Sequence, residues 1–214
     1  MSFHVETART EDHDARPSFV AQMTGISPTT LGKAVDAGFV PRLTHRNVLD
    51  IAALPMLTSV QAADGTPIPV LRMGGQARSC GDDGGHVPAR QFSGVGAGMS
   101  DDEFTAATLR WWKESGRQRV LAAGYLLVAI GGLTVGLLRV TDFRRHNGRI
   151  EYIGSLVART DDVLTRTIRI VDRDADDDVR EFAQEVLATR STTRGGGVIG
   201  ILDDDLDNEN VVEG

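Results

Sequence analysis

Carboxylates are the side chains of this chain whose spacing comes closest to a known metal site. Asp172, Asp174 and Asp176 have the 1, 3, 5 spacing of a calcium-binding loop. Asp177, however, stands where that loop needs glycine, and Ala183 stands where it needs a bidentate glutamate. The same test fails for the acidic run that begins at residue 203. We therefore expect a solvated acidic surface and no dedicated metal site.

Cysteine and histidine are too scarce for zinc or nucleophilic chemistry. Cys80 is the only cysteine, and His86 is the histidine nearest to it in the sequence. One Cys and one His cannot complete a zinc shell, and a single cysteine cannot form an intrachain disulfide. The start of the chain is polar and does not read as a secretory signal. We therefore expect a cytoplasmic protein that has no cofactor and is not an enzyme.

The net charge of −7 is distributed unevenly along the chain. From residue 172 to 214 there are 13 acidic residues and four arginines, a balance of −9, which leaves +2 for residues 1–171. An acidic total therefore does not exclude a polyanionic partner for the first part of the chain.

Changes in composition divide the chain into four segments, and together they predict an α+β fold. Residues 1–16 are polar, and we expect them to be disordered. Residues 17–58 read as a three-helix module. Residues 66–190 read as a mixed α+β domain with an antiparallel sheet, interrupted by a glycine-rich loop at 74–100. Residues 191–214 form an acidic tail that we expect to be disordered.

A helix is predicted in the sequence MSDDEFTAATLRWWKESG, and Gly116 follows its end. Ser100 is a natural N-cap, and Glu103 three residues later completes the pattern of a capping box. Trp111 and Trp112 would extend its apolar side. A second amphipathic helix is predicted in the sequence DDDVREFAQEVLATR, and short strands are predicted in TPIPVLRMG, GRIEYIGSLVARTDD and TRTIRIVD.

The apolar run 120–138 has two interpretations. Its 19 residues carry no charge, so its length would admit a transmembrane helix. Gly131 and Gly132 stand near its middle, and a two-residue Gly-Gly turn would instead make it a buried β-hairpin. We favour a hairpin built from residues 124–143, and the membrane span remains as the alternative.

Two short helices joined by a glycine are predicted near the start of the chain. In the first, Val20 and Met23 fall on one side, three residues apart, and Gly25 ends the helix. The second has Ser27 as its N-cap and ends at Gly38. Its inner residues are Leu31, Ala34 and Val35, and its outward residues are Thr29, Thr30 and Lys33.

A third helix is predicted after FVPRLT. Thr44 is its N-cap, and Val48, Ile51 and Leu54 face inward. Two helices at a glycine turn, with hydroxyl and basic residues on the exposed start of the second, describe a helix-turn-helix. In such a unit the second helix can enter the major groove of DNA.

The sequence FVAQMTGISPTTLGKAVDAGFVPRLTHRNVLDIAAL resembles the winged helix-turn-helix of MerR-type regulators and phage excisionases. The resemblance rests on the Gly-apolar-Ser turn, the threonines of the second helix, the Gly before an apolar-Pro pair and the closing helix, and it covers about 40 of the 214 residues. Only Arg42 and Leu43 separate Pro41 from Thr44, where the family has a wing. No long heptad helix follows, which favours the excisionase-like arrangement over a metal-sensing repressor.

The resemblance implies that the chain binds double-stranded DNA as a transcriptional regulator or an excisionase-like accessory protein. The predicted DNA-binding residues are Ser27, Thr29, Thr30, Lys33, Arg42, His45 and Arg46. The few cations imply modest affinity for one copy, so a homodimer is expected. The acidic tail is expected to compete with DNA for the basic residues of the helix-turn-helix or to recruit a basic protein. The alternatives are an adaptor that binds protein through residues 17–58 and a membrane-attached regulator.

Overall fold

Two long antiparallel strands organise the α+β fold of this chain. The computed structural model describes residues 12–78, 91–191 and 198–202. The described helices are α1 (Pro17–Thr24), α2 (Pro28–Asp36), α3 (His45–Ala52), α4 (Asp101–Leu109), α5 (Arg117–Ala123) and α6 (Asp177–Val186). The described strands are β1 (Met56–Leu57), β2 (Val70–Met73), β3 (Ala77–Arg78), β4 (Phe92–Ser93), β5 (Arg110–Trp112), β6 (Tyr125–Ile130), β7 (Leu133–His146), β8 (Arg149–Arg159), β9 (Arg169–Ile170), β10 (Arg190–Ser191) and β11 (Ile199–Gly200).

The main sheet is mixed and is built around the antiparallel meander β6–β7–β8. Strand β2 joins β6 in parallel, and β11 lies antiparallel to β2. Strands β5 and β9 pair with β8, while β10 pairs with the start of β7 and with β1. Strands β3 and β4 form a separate two-stranded sheet.

The apolar run forms α5 and a buried hairpin, which confirms the prediction of a hairpin over residues 124–143. Gly131 and Gly132 make its two-residue turn with φ of 62° and 81°. No helix among the described residues has the length and apolar character needed to cross a membrane. The alternative of a single helix over 120–138 is therefore wrong.

Strand β6 is apolar along its whole length, and side chains on both of its faces are buried. On β6, Leu126, Val128 and Ile130 pack into a first hydrophobic cluster. Leu127 and Ala129, which alternate with them, pack into a second cluster on the opposite face. Alternation along a strand sends neighbouring side chains to opposite faces, so a strand covered on both sides needs no polar positions.

Helices cover the two faces of the hairpin separately. Helices α1–α3 and α4 contribute Val20, Leu31, Ile51 and Phe104 to the first cluster. Helix α6 contributes Ala183 and its neighbours to the second. The helical segment 17–58 and the range 66–190 therefore share one hydrophobic core.

Two buried polar side chains, Thr134 and Arg159, form hydrogen bonds that connect elements packed around this core. Thr134 Oγ1 donates to the carbonyl of Val186 at 2.7 Å and accepts from the amide of Thr189 at 3.0 Å, which holds the end of α6 against the hairpin. Arg159 is fully buried; it donates to the carbonyls of Ala97 and Met99 at 2.8 and 2.9 Å.

Local helix signals are confirmed where a cap marks the start of a helix. Ser100 and Glu103 form the predicted capping box of α4, and Thr44 caps α3 by accepting from the amide of Asn47 at 3.2 Å. The predicted continuation of α4 as far as Gly116 is wrong. The helix ends at Leu109, because residues 110–112 pair with β8 as strand β5.

The inner faces of the first three helices follow the prediction with one exception. Leu31, Ala34, Val48 and Ile51 are fully buried, as expected. Met23, which we placed on the same side of α1 as the buried Val20, is exposed. Thr24, the last residue of α1, is buried instead. Its hydroxyl donates to the carbonyl of Val20 at 2.8 Å, so the buried hydroxyl has a hydrogen-bond partner within the helix.

Several predicted segments lie partly outside the described residues. Residues 12–16, which we included in a disordered N-terminus, run beside residues 43–45; the amide of Ala15 donates to the carbonyl of Leu43 at 2.8 Å. Cys80 and His86 of the predicted loop 74–100 lie outside the described residues, as does most of the predicted tail 191–214.

Candidate functional site

The start of α2 presents the candidate recognition residues in two different environments. Gly25, with φ of 70°, ends α1, and Ser27 caps α2 by accepting from the amide of Thr30 at 3.1 Å. The Ser27 hydroxyl also donates to the Thr30 hydroxyl at 2.8 Å. Thr29 and Lys33 are exposed. The two exposed side chains are free to contact a partner, whereas the hydroxyls of Ser27 and Thr30 are already engaged with each other.

The turn of the buried hairpin determines where α2 lies. A Cβ atom added to Gly131 would lie 2.9 Å from the carbonyl oxygen of Thr30 and 3.0 Å from Cβ of Ala34. A Cβ added to Gly132 would lie 2.9 Å from Cδ1 of Ile26. Glycine is therefore required at this approach, and the helix rests directly on the turn.

A cleft of about 730 Å³ opens beside α2, between this helix, the hairpin turn and β2; we call it the α2 cleft. Its lining includes Ser27, Thr30 and Lys33 from the predicted set. Arg72 of β2 adds a second cation that the sequence did not suggest. The cations Lys33 and Arg72 make this cleft suited to a phosphate group.

A second group of predicted residues lies at the start of α3, where the N-terminal segment covers it. Arg42 Nε lies 2.7 Å from Oδ1 of Asp14. Nδ1 of His45 lies 3.2 Å from the carbonyl oxygen of His13. The backbone amide of Arg46 donates to Asp12 at 3.3 Å. Two carboxylates thus lie against the arginines that we expected to approach phosphates.

The electrostatics of this contact agree with its geometry. A hydrogen bond from Arg42 and the charge of its guanidinium lower the pKa of Asp14. A hydrogen bond with the Thr44 side chain and a weaker one with the amide of Arg46 lower the pKa of Asp12. Both carboxylates therefore remain ionised at neutral pH and compensate the positive charge of this face.

In the structure the predicted DNA-binding residues form two separate groups. Ser27, Thr29, Thr30 and Lys33 belong to α2. Arg42, His45 and Arg46 belong to the start of α3. Within the described ranges, no hydrogen bond or ion pair joins one group to the other. Helix α1 contacts both α2 and α3.

A second basic cleft, of about 890 Å³, lies at the other end of β7. Its cations are Lys113, Arg117, Arg119 and Arg149. Trp111 and Trp112 form part of its wall. The sequence prediction missed this cleft, although the mixture of tryptophan and basic residues from 111 to 119 was a signal for it.

The buried ionisable groups near the β5–β8 pairing serve the fold. Glu151 is 6% exposed and lies between Arg110, 2.6 Å from its Oε1, and Arg144. Burial raises the pKa of Tyr152 to about 12. Its hydroxyl is therefore neutral at any physiological pH and is a poor candidate for a general base.

Among the described residues, no group of three His, Cys, Asp or Glu side chains is placed to hold a metal ion. Comparison of the chain with family models, with curated proteins and with solved structures gives no match.

Proposed function

We propose that this chain binds double-stranded DNA, as a transcriptional regulator or an excisionase-like accessory protein, through the exposed side of α2 and the start of α3. The observation that carries the proposal is the pair of side chains Thr29 and Lys33, exposed one turn apart on a helix that is capped by Ser27 and supported by the hairpin turn. A hydroxyl and an ammonium so placed can reach base edges and phosphates when the helix lies in a major groove.

The proposed interface has few cations, which limits its affinity. Lys33, Arg42 and Arg46 are the basic members of the predicted set. Neutralising three phosphates gives a slope of log K against log salt of about −2.7, or a loss of roughly 40-fold between 50 and 200 mM salt. With so few phosphate contacts, one copy of the chain should bind DNA only modestly, which favours binding by a pair of copies, each contacting one half-site.

The N-terminal segment has to leave the start of α3 before its arginines contact phosphates. Asp14 already pairs with the guanidinium of Arg42, and Asp12, which accepts from the amide of Arg46, adds a negative charge beside it. The segment thus lowers nonspecific DNA binding and leaves the α2 residues accessible.

Fluorescence anisotropy with labelled duplexes of random and genomic sequence tests the proposal. The double variant Thr29→Ala/Lys33→Ala should bind at least about tenfold more weakly than the wild type, since it loses one base-edge contact and one phosphate contact. The matched control is Thr167→Ala/Arg173→Ala, which removes one exposed hydroxyl and one exposed cation elsewhere. Equal binding by the wild type and the α2 variant would refute the proposal.

A protein-binding adaptor is the second candidate function. Met23, Leu49 and Met56 are large hydrophobic side chains exposed on or next to the helical segment, at 36%, 48% and 37%. Exposed apolar groups in one segment suit a protein partner. Leu49→Glu should then abolish association with that partner and leave DNA affinity unchanged.

A further inference from the structure

The basic cleft at the far end of β7 has more positive charge than its own carboxylates compensate. Its lining contains four cations and one carboxylate, Glu114, when only the described residues are counted. Glu114 is already engaged, because Arg117 and Arg145 both pair with it. These two arginines also lie over the ring of Phe143, with guanidinium carbons 4.5 and 5.0 Å from its centroid.

Three cations of the cleft have no carboxylate partner within the described part of the chain. Lys113, Arg119 and Arg149 are exposed. Arg149 donates to the carbonyl of Trp111 at 3.1 Å, which holds its guanidinium at the cleft without neutralising it. An anionic occupant is therefore the partner that this cleft fits.

The C-terminal strand runs past the cleft just before the most acidic part of the sequence. Val198 and Ile199 line the cleft, and Ile199 lies against Gly116, at the start of α5. The described chain ends at Leu202, which is buried in the second hydrophobic cluster. Residues 203–213 then carry six carboxylates and no Lys or Arg.

We propose that the acidic segment 203–213 of the same chain binds in the basic cleft formed by Lys113, Arg117, Arg119 and Arg149. The segment starts four residues after Ile199, which is at most about 14 Å of extended chain. A tether of this length gives an effective concentration in the millimolar range. A charge-driven contact with a Kd of about 0.1 mM is then mostly formed within one molecule, and a polyanion from solution has to displace it.

The experiment uses the full chain with its tail neutralised, and a labelled peptide of residues 203–214 as the probe. In the neutralised chain each Asp of residues 203–213 becomes Asn and each Glu becomes Gln, which leaves every described residue unchanged. The peptide should bind this chain at least about tenfold more tightly than it binds the wild type, whose own tail occupies the cleft. Anisotropy at 50 mM salt measures both affinities.

Two matched pairs of substitutions in the neutralised chain locate the binding. Lys113→Ala/Arg119→Ala should weaken peptide binding at least fivefold. Lys33→Ala/Arg72→Ala removes one Lys and one Arg from the α2 cleft and should leave peptide binding unchanged. These substitutions also separate this proposal from that of DNA binding, which depends on Lys33 and not on Lys113.

Three results would overturn the assignment of the tail to the basic cleft. One is equal peptide affinity in the wild-type and neutralised chains. Another is binding that the Lys113→Ala/Arg119→Ala pair does not weaken. The third is that the basic cleft of the neutralised chain binds a short DNA duplex and does not bind the peptide. The cleft would then be a nucleic-acid surface.

Discussion

Replacing Gly131 with alanine tests whether the hairpin turn really supports α2. The alanine Cβ would lie 2.9 Å from the carbonyl oxygen of Thr30 and 3.1 Å from the amide nitrogen of Ala34. Both atoms belong to the helix backbone, so neither can move away by a change of rotamer. Either the turn or the whole helix has to shift.

The expected cost has two parts that a control can separate. Gly131 has φ of 62°, and an L-residue with a left-handed backbone costs about 1–2 kcal/mol. The forced contact with α2 adds about 1–3 kcal/mol, as for other overpacked sites. Gly148, in the β7–β8 turn, has φ of 73° and open space around its Cβ position. Gly148→Ala should therefore cost only the first part.

Urea unfolding of the two variants and the wild type provides the measurement. Gly131→Ala should lower the free energy of unfolding by about 2–5 kcal/mol and Gly148→Ala by about 1–2 kcal/mol, with unchanged m values. Equal losses in the two variants, within about 0.5 kcal/mol, would show that the turn does not touch α2. The support that we assign to the hairpin would then be refuted.

Three further predictions concern the N-terminal segment, the buried hydroxyl and acid stability. Asp14→Asn should raise DNA affinity in anisotropy by a small factor, at most about fivefold, because it removes the carboxylate that pairs with the exposed Arg42 and solvent screens such a pair; a decrease would contradict this. Thr134→Val should lower the free energy of urea unfolding by about 1–3 kcal/mol, since it leaves the buried amide of Thr189 without its acceptor, and a loss below about 0.5 kcal/mol would count against that role. Hydrogen bonds from Arg169 lower the pKa of Asp101 below 3.8, so this pair stabilises the fold fully above pH 3.8 and progressively less as the pH falls through the lowered value. Asp101→Asn should therefore make unfolding less sensitive to pH between 5 and 3, and an unchanged pH dependence would be evidence against the pair.

Features that depend on neighbouring residues could be predicted from the sequence. Ser27, Thr44 and Ser100 cap their helices because a cap needs only a hydroxyl and an amide three residues later. The Gly131–Gly132 turn was predictable for a similar reason, because positive φ at two successive positions strongly favours glycine.

Features that depend on distant parts of the chain could not be predicted. Residues 110–112 continue the helical pattern of α4, yet they become a strand because Arg110 and Trp112 pair with β8. Arg42 reads as an open phosphate contact, and only the fold brings Asp14 against it. Arg72 belongs to a short strand, and nothing in its neighbourhood indicates that it lies across a cleft from Lys33.

Site-specific crosslinking tests the central claim, DNA binding through α2, most directly. A photoreactive group is attached at Thr29→Cys, in a chain whose native cysteine is replaced by Cys80→Ser. The control carries the group at Gln184→Cys, exposed on α6, which packs on the opposite face of the hairpin. The proposed function predicts that a bound duplex crosslinks at position 29 and not at position 184. Equal crosslinking at both positions, or none at position 29 under conditions where DNA is bound, would contradict it.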